Sequence, residues 1–226
     1  MLCARDRSAL DETVAEIRGS GGKAEGISLD LRVAESAAAL VEFAKIKFGG
    51  IDILINNAGA TKRGEFLDLT DDDFSDGFAL KYFGAVRITR AAWPMLKSAQ
   101  GSLVFISGVG GRTPGAQFTI GGSVNAAVLS FTKAIAELGL RDGVQVNAVN
   151  PGTIRTARFT GRLNALAIEK GLDAISAEAA YVKNAGIRRI GEPEDVAALV
   201  AFIVGREGRL LHGSLIDADA GATKTI

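Results

Sequence analysis

The sequence predicts an α/β protein on a doubly wound parallel sheet. Two features predict it: short, nearly continuous apolar runs of the kind buried in parallel sheets, and amphipathic helical stretches separating them. A third agrees, because Asn, Gly, Ser and Pro gather just beyond the runs, where such sheets hold ligands.

The elements follow in order. Asp6 can cap a helix whose Leu10, Val14 and Ile17 form one apolar stripe, and "GSGG" at 19–22 ends it. Strand-like "EGISLD" comes next. A second helix carries Leu40, Val41, Ala44 and Phe48 until Gly49 and Gly50 stop it, and "IDILIN" follows as a buried strand. Thr70 with Asp73 predicts a capping box opening a long helix over 71–98, with Phe74, Phe78, Tyr82, Ala85 and Ile88 on one side. "SLVFIS" is the next strand. Val124, Val128, Phe131, Ile135 and Leu138 mark another helix, "VQVNAV" a strand, "EPEDVAALVAFIV" a helix with Pro193 in its first turn, and "SLIDAD" the last strand.

With 226 residues, 47% of them apolar, the chain can bury a full core as one domain over 1–226. Its 26 basic residues balance 26 acidic ones, so no global field draws it to nucleic acid or to an anionic membrane. The apolar run "VAALVAFIV", Val196 to Val204, is about half the length of a membrane span and reads as a buried helix. The single Cys3 excludes an internal disulfide, and "MLCARDRSAL" lacks the apolar core of a secretory signal. A cytoplasmic location is expected, and no metal.

The strand ends read "LDL", "NNAG", "SGVGG" and "NPGTIRT". Asn56 and Asn57 can donate and accept there, Ala58 and Gly59 allow a ligand close to the backbone, and Pro151 with Gly152 turns the chain sharply out of the sheet.

Taken in order, "NNAG", "VNAVNPGTIRT", "EPEDVAALVAFIV" and "GSLIDADAG" resemble the short-chain dehydrogenase/reductase superfamily over nearly the whole chain. The resemblance implies a Rossmann-like sheet and hydride transfer between a nicotinamide cofactor and a carbonyl or alcohol carbon. It would place Asp30 and Leu31 beside the adenine, and Asn57, Ala58 and Gly59 along the adenosine ribose and phosphates. Pro151, Gly152, Ile154 and Thr156 would stand toward the nicotinamide, and Arg5 where NADP-preferring relatives hold the 2'-phosphate. NADP is therefore expected ahead of NAD. The segment 157–187 resembles the family's substrate-covering region, for a small-molecule substrate. The helices 71–98 and 124–139, with "WPML" and Phe131, correspond to those that pair subunits in relatives, which implies a homodimer or homotetramer.

Simpler readings of the same residues exist. Asn56 and Asn57 equally suit ties between neighbouring strands, Arg5 a solvated charge, Asp30 and Thr156 caps. His212 reads as a loop residue and Cys3 as packing.

Two departures from the family bear on function. The first is that the chain lacks the family's first strand, its glycine-rich turn and its first helix, whose amino-terminal N–H groups hold the pyrophosphate. "GSGGKAEG" closes a helix instead of opening one, so it does not replace that turn. A missing central strand would leave two rows of unpaired backbone groups. An omitted upstream segment is the favoured expectation, over a sheet that closes up or a partner chain that fills the gap.

The second departure lies in "TIGGSVNAA", 119–127. In relatives a tyrosine supplies the proton, a lysine four residues later lowers its pKa and holds the nicotinamide ribose, a serine polarises the carbonyl, and an asparagine anchors a water relay. By spacing, Gly121 stands at the tyrosine, Asn125 at the lysine, Gly108 at the serine with Ser107 one residue early, and Lys81 at the asparagine. Lysine and asparagine have thus exchanged places. A buried Lys81 near the cofactor, its pKa lowered, could donate a proton to a carbonyl oxygen or bind a ribose hydroxyl; a solvent or interface position is the alternative. Lys81, Ser107 and Asn125 are the candidate catalytic residues. Tyr82 is about 100 degrees from Lys81 around a helix, so both cannot aim at one oxygen. Glycines at 121 and 122 would either open the pocket floor or pack a helix against the sheet. Two functions remain: an NAD(P)-dependent oxidoreductase with a displaced proton donor, or a non-catalytic dinucleotide-binding or assembly subunit.

Overall fold

A computed structural model describes residues 1–225. Among the described residues six strands and eight α-helices follow in the order β1 (Leu2–Ala4), α1 (Arg7–Gly19), β2 (Gly26–Ser28), α2 (Glu35–Phe48), β3 (Ile53–Asn56), α3 (Asp71–Phe78), α4 (Ala85–Ala99), β4 (Ser102–Ile106), α5 (Thr119–Asp142), β5 (Gln145–Pro151), α6 (Ala157–Lys170), α7 (Ala174–Ala185), α8 (Pro193–Val204) and β6 (Leu215–Ala218). Every strand pairing is parallel. The predicted α/β class holds.

Local chemistry sets the boundaries. Asp6 caps α1 by accepting from the Ala9 N–H, and Gly49 closes α2 in the left-handed conformation. Thr70 and Asp73 form a reciprocal capping box on α3, and Pro193 opens α8. Helices α6 and α7 occupy the segment 157–187, to which the sequence reading assigns no elements.

The core has two faces because strand side chains alternate. Leu103 and Phe105 of β4, with Val146 and Ala148 of β5, pack beneath α4 and α5 among Ala92, Leu96 and Val128. Val104 and Val149 turn the other way onto Ile203 of α8. Both faces of the sheet are covered, as buried parallel strands require.

The sheet is interrupted. β1 and β2 form one small sheet, while β3, β4, β5 and β6 form another in that order. Between β1 and β3 lies a cleft of about 500 Å³, lined by Cys3, Leu31, Leu40, Ile53, Ile55 and Ile88 among others. The exposed edge of β3 shows its consequence: Ile53 and Ile55 remain 48% and 37% exposed, whereas β4 and β5 are buried along nearly their whole length. The β1–β2 unit is held instead through Leu31, Ala37, Leu40 and Ile88, with Cys3 packed beside them.

One predicted helix is corrected. The long helix over 71–98 contains a π-helical turn, Ala79–Gly84, between α3 and α4. Such a turn inserts a residue into the ladder and shifts the side chains on its two sides relative to one another, and it recurs at functional sites. Lys81 sits within it.

Candidate active site

Because the strands are parallel, their carboxyl ends meet on one edge of the sheet. Register fixes the neighbours there: Asn56 stands opposite Phe105, Ile106 opposite Val149, and Pro151 opposite Ala218. A cleft of about 790 Å³ opens beyond β4 and β5, lined by Lys81, Ser107, Asn125, Thr153 and Tyr181 among others.

Lys81 is the centre of a defined network. Its Nζ donates to the backbone carbonyl of Ser107 at 2.7 Å and to Asn125 Oδ1 at 2.7 Å. The Ser107 hydroxyl in turn donates to the Asn125 carbonyl at 3.1 Å, tying the end of β4 to α5. The three candidate catalytic residues are therefore in one place. An ammonium has three N–H groups and only two are used by these acceptors. Desolvation, followed by the charge of Arg158, lowers the Lys81 pKa to about 8.

Glycine permits this approach. A Cβ on Gly59 would come within 2.8 Å of Lys81 Cδ, and one on Gly108 within 2.9 Å of Asn125 Nδ2. Larger residues at either position would displace the network. Tyr82 is turned away, into an aromatic cluster with Phe78, Phe83 and Phe131.

The comparisons agree with this architecture. The family model described as Enoyl-(Acyl carrier protein) reductase matches residues 1–223. The short-chain reductase protein NovJ of Streptomyces niveus is 34% identical over 220 residues, covering 96% of this chain and 82% of NovJ. The chain belongs to the short-chain dehydrogenase/reductase superfamily. Among solved structures it is similar to L-sorbose reductase from Gluconobacter frateurii complexed with NADPH and L-sorbose. That likeness has a TM-score of 0.94 and 26% identity, covering 100% of this chain and 87% of that one. It is also similar to an NADPH-bound short-chain oxidoreductase of Pseudomonas aeruginosa with an atypical catalytic centre, at TM-score 0.91 and 25% identity, covering 99% and 86%.

At Gly121, the position that spacing aligned with the family's tyrosine, an aromatic ring fills the space. Gly121 is buried under the ring of Phe118, which a Cβ at that position would penetrate, and Gly122 packs on Pro114. The glycines do not open the pocket floor; they admit an aromatic ring from the preceding turn. That corrects the first of the two readings of Gly121 and Gly122 and supports close packing.

The other expected site residues divide between two regions. Leu31, Asn57 and Ala58 line the cleft between the two sheets, while Pro151, Gly152, Ile154 and Thr156 line the cleft with Lys81. Gly59 touches the Lys81 stem and lies between them. Asp30 gives its carboxylate to Arg32, which also reaches Asp76 at 2.5 Å. Arg5 follows β1, close enough to Asp30 to favour its charged form. Thr156 caps α6 by accepting from the Phe159 N–H at 3.4 Å. Asn56 ties β3 to α4 by donating from Nδ2 to Thr89 at 3.1 Å. His212 contacts the Ala136 carbonyl at 2.8 Å and accepts from the Val146 N–H, a structural role.

Sequence reasoning missed four residues of the Lys81 cleft. Tyr181, whose hydroxyl lies 2.9 Å from Thr153 Oγ1, comes from α7, and Arg63, Arg158 and Arg162 reach the cleft from the loop after β3 and from α6. The only available signal was the i,i+4 spacing of Arg158 and Arg162 on a helix the sequence did not reveal.

Proposed function

We propose that the protein is an NADP-dependent oxidoreductase acting on a small carbonyl compound or the corresponding alcohol, with Lys81 as the proton donor. The observation that carries this reading is the Lys81 ammonium, held by Ser107 and Asn125 with one N–H left for the cleft.

The residues present suit both ends of the cofactor. Arg5, just after β1, can face a 2'-phosphate, and Ile154, Thr156 and Gly152 offer a nicotinamide pocket. Arg5 and Asp6 separate β1 from α1, and Asp6 caps the α1 amino terminus. Asn57, Ala58 and Gly59 carry the middle of the site.

NADPH, when bound, supplies the hydride. As the carbonyl carbon gains it, the oxygen becomes an alkoxide and takes a proton from Lys81 Nζ. The neutral amine that remains keeps two N–H groups, so Ser107 and Asn125 stay satisfied in both protonation states. The open cleft returns the proton from solvent. Helices α6 and α7 would cover the substrate, and their placement is fixed by Arg155, which pairs with Glu178 and Glu192 at 2.8 Å each.

The test is NADPH-dependent turnover of a carbonyl panel by the protein and by Lys81→Ala, with NADPH binding followed by fluorescence. Loss of about 100-fold or more in kcat with binding retained is expected. An unchanged rate removes Lys81 from the chemistry, and binding without any turnover favours a non-catalytic subunit.

We further infer a cytoplasmic homo-oligomer. No helix among the described residues is long and apolar enough to cross a membrane. Trp93, Met95 and Phe131, expected to supply the contact, pack against the core; Phe83 on the π-helical turn is the large apolar side chain left exposed on that helix.

A further inference from the structure

We propose that the substrate carries an anionic group, a carboxylate or phosphate, held by Arg63, Arg158 and Arg162 at the mouth of the Lys81 cleft. The inference rests on the oxidoreductase reading and adds the substrate's chemical class.

Three guanidinium groups from two separate elements line one cleft with Lys81. Among the described residues none of the three forms an ion pair. The contrast with neighbours is direct: Arg155 is paired with Glu178 and Glu192, Arg112 with Asp217, and Arg189 with Asp195. Other arginines tie the fold through backbone carbonyls, as Arg87 does to Arg32 and Arg209 to Gln100, whereas Arg63, Arg158 and Arg162 gather at one cleft. The one carboxylate lining the cleft, Glu65, accepts from Gln117 Nε2 at 2.7 Å.

The arginines are also oriented. The Arg63 guanidinium lies over the Phe118 ring, 4.1 Å from its centre, and that of Arg162 lies 5.6 Å from the Phe159 ring centre. These contacts seat the Arg63 and Arg162 guanidinium groups against aromatic rings without using a carboxylate partner. Arg158 and Arg162 stand one turn apart on α6, a like-charge pair that destabilises a helix unless an anion bridges it. The charge of Arg162 reaches Arg63 and that of Arg158 reaches Lys81, so one anion would relieve both repulsions. Its place at the cleft mouth sets the reacting carbonyl toward Lys81, deeper in.

The cofactor's pyrophosphate is the other source of such an anion, and the experiment separates the two. Turnover of keto acids would be compared with that of their methyl esters, and dihydroxyacetone phosphate with dihydroxyacetone, in the wild type and in Arg63→Gln and Arg162→Gln. Calorimetric binding of each compound and NADPH affinity would be measured in parallel. The expected result is a charged-over-neutral preference of about 10-fold or more that the variants erase while NADPH affinity holds. Equal handling of charged and neutral compounds overturns the proposal, as does weakened NADPH binding with the preference intact, which assigns the arginines to the pyrophosphate. Because binding is read without turnover, a failure of Lys81 chemistry with the anion preference present is distinct from a failure of the anion site.

Discussion

Lys81 and Asn125 meet directly, Nζ to Oδ1 at 2.7 Å, although 44 residues separate them in the chain. Their side chains complete one network with Ser107, at positions that spacing reads as exchanged relative to the family pattern.

The pH dependence of turnover follows from that network. Burial disfavours the charged form of a lysine, which here lowers its pKa to about 8 with Arg158 facing it across the cleft and the Tyr181 hydroxyl lining the same space. The proton donor is the ammonium, so carbonyl reduction falls as pH rises through about 8, and alcohol oxidation, which needs the free amine, rises over the same range. A pH–rate profile with no inflection in that region contradicts the assignment.

Asn125→Asp places a carboxylate where an amide oxygen now accepts. An opposite charge favours the ammonium, so the inflection moves up by about one unit or more. Shape is nearly conserved, which makes a folding failure easy to distinguish by circular dichroism. An inflection that stays in place separates Lys81 from the titration.

Gly121→Ala forces a methyl group into the Phe118 ring. Overpacking at a buried site costs about 1–3 kcal/mol, read as a lower urea midpoint. Phe118→Ala in the same chain relieves the clash, so the double variant loses less stability than the sum of the two single changes. Strict additivity would show that the two side chains do not share the space.

The β1–β2 unit has no strand pairing to β3 and packs on the rest through Leu31, Ala37, Leu40 and Ile88. Amides of β1 and β2 exchange with deuterium faster than those of β4 and β5, which lie at the centre of the second sheet. Equal protection in both sheets would mean that they unfold as one unit.

Phe83 is 46% exposed beside Arg87, whose guanidinium lies over its ring. If copies associate through this helix, Phe83→Glu lowers the mass seen by light scattering while leaving thermal stability of the monomer near its original value. A monomeric wild type at micromolar concentration removes the oligomer proposal.

Much of the fold was legible because its signals are local. The Thr70–Asp73 box, the Asp6 cap, Gly49 and Pro193 each act within one helical turn, and the apolar runs of β4 and β5 are continuous because both faces are buried. Spacing also put Ser107 at a strand end and Lys81 and Asn125 on the two helices beside it. What the spacing could not contain was direction. The π-helical turn that holds Lys81, the Phe118 ring over Gly121, and the three arginines in one cleft all depend on contacts between elements distant in sequence. The sequence by itself determined the class of fold, since hydrophobic period and capping are properties of neighbouring residues, and its ordered motifs carried the family resemblance. Only the tertiary structure decided which side chains fill the tyrosine's place, which sheet edges stay unpaired and which charges share the cleft, because packing and electrostatics act across space.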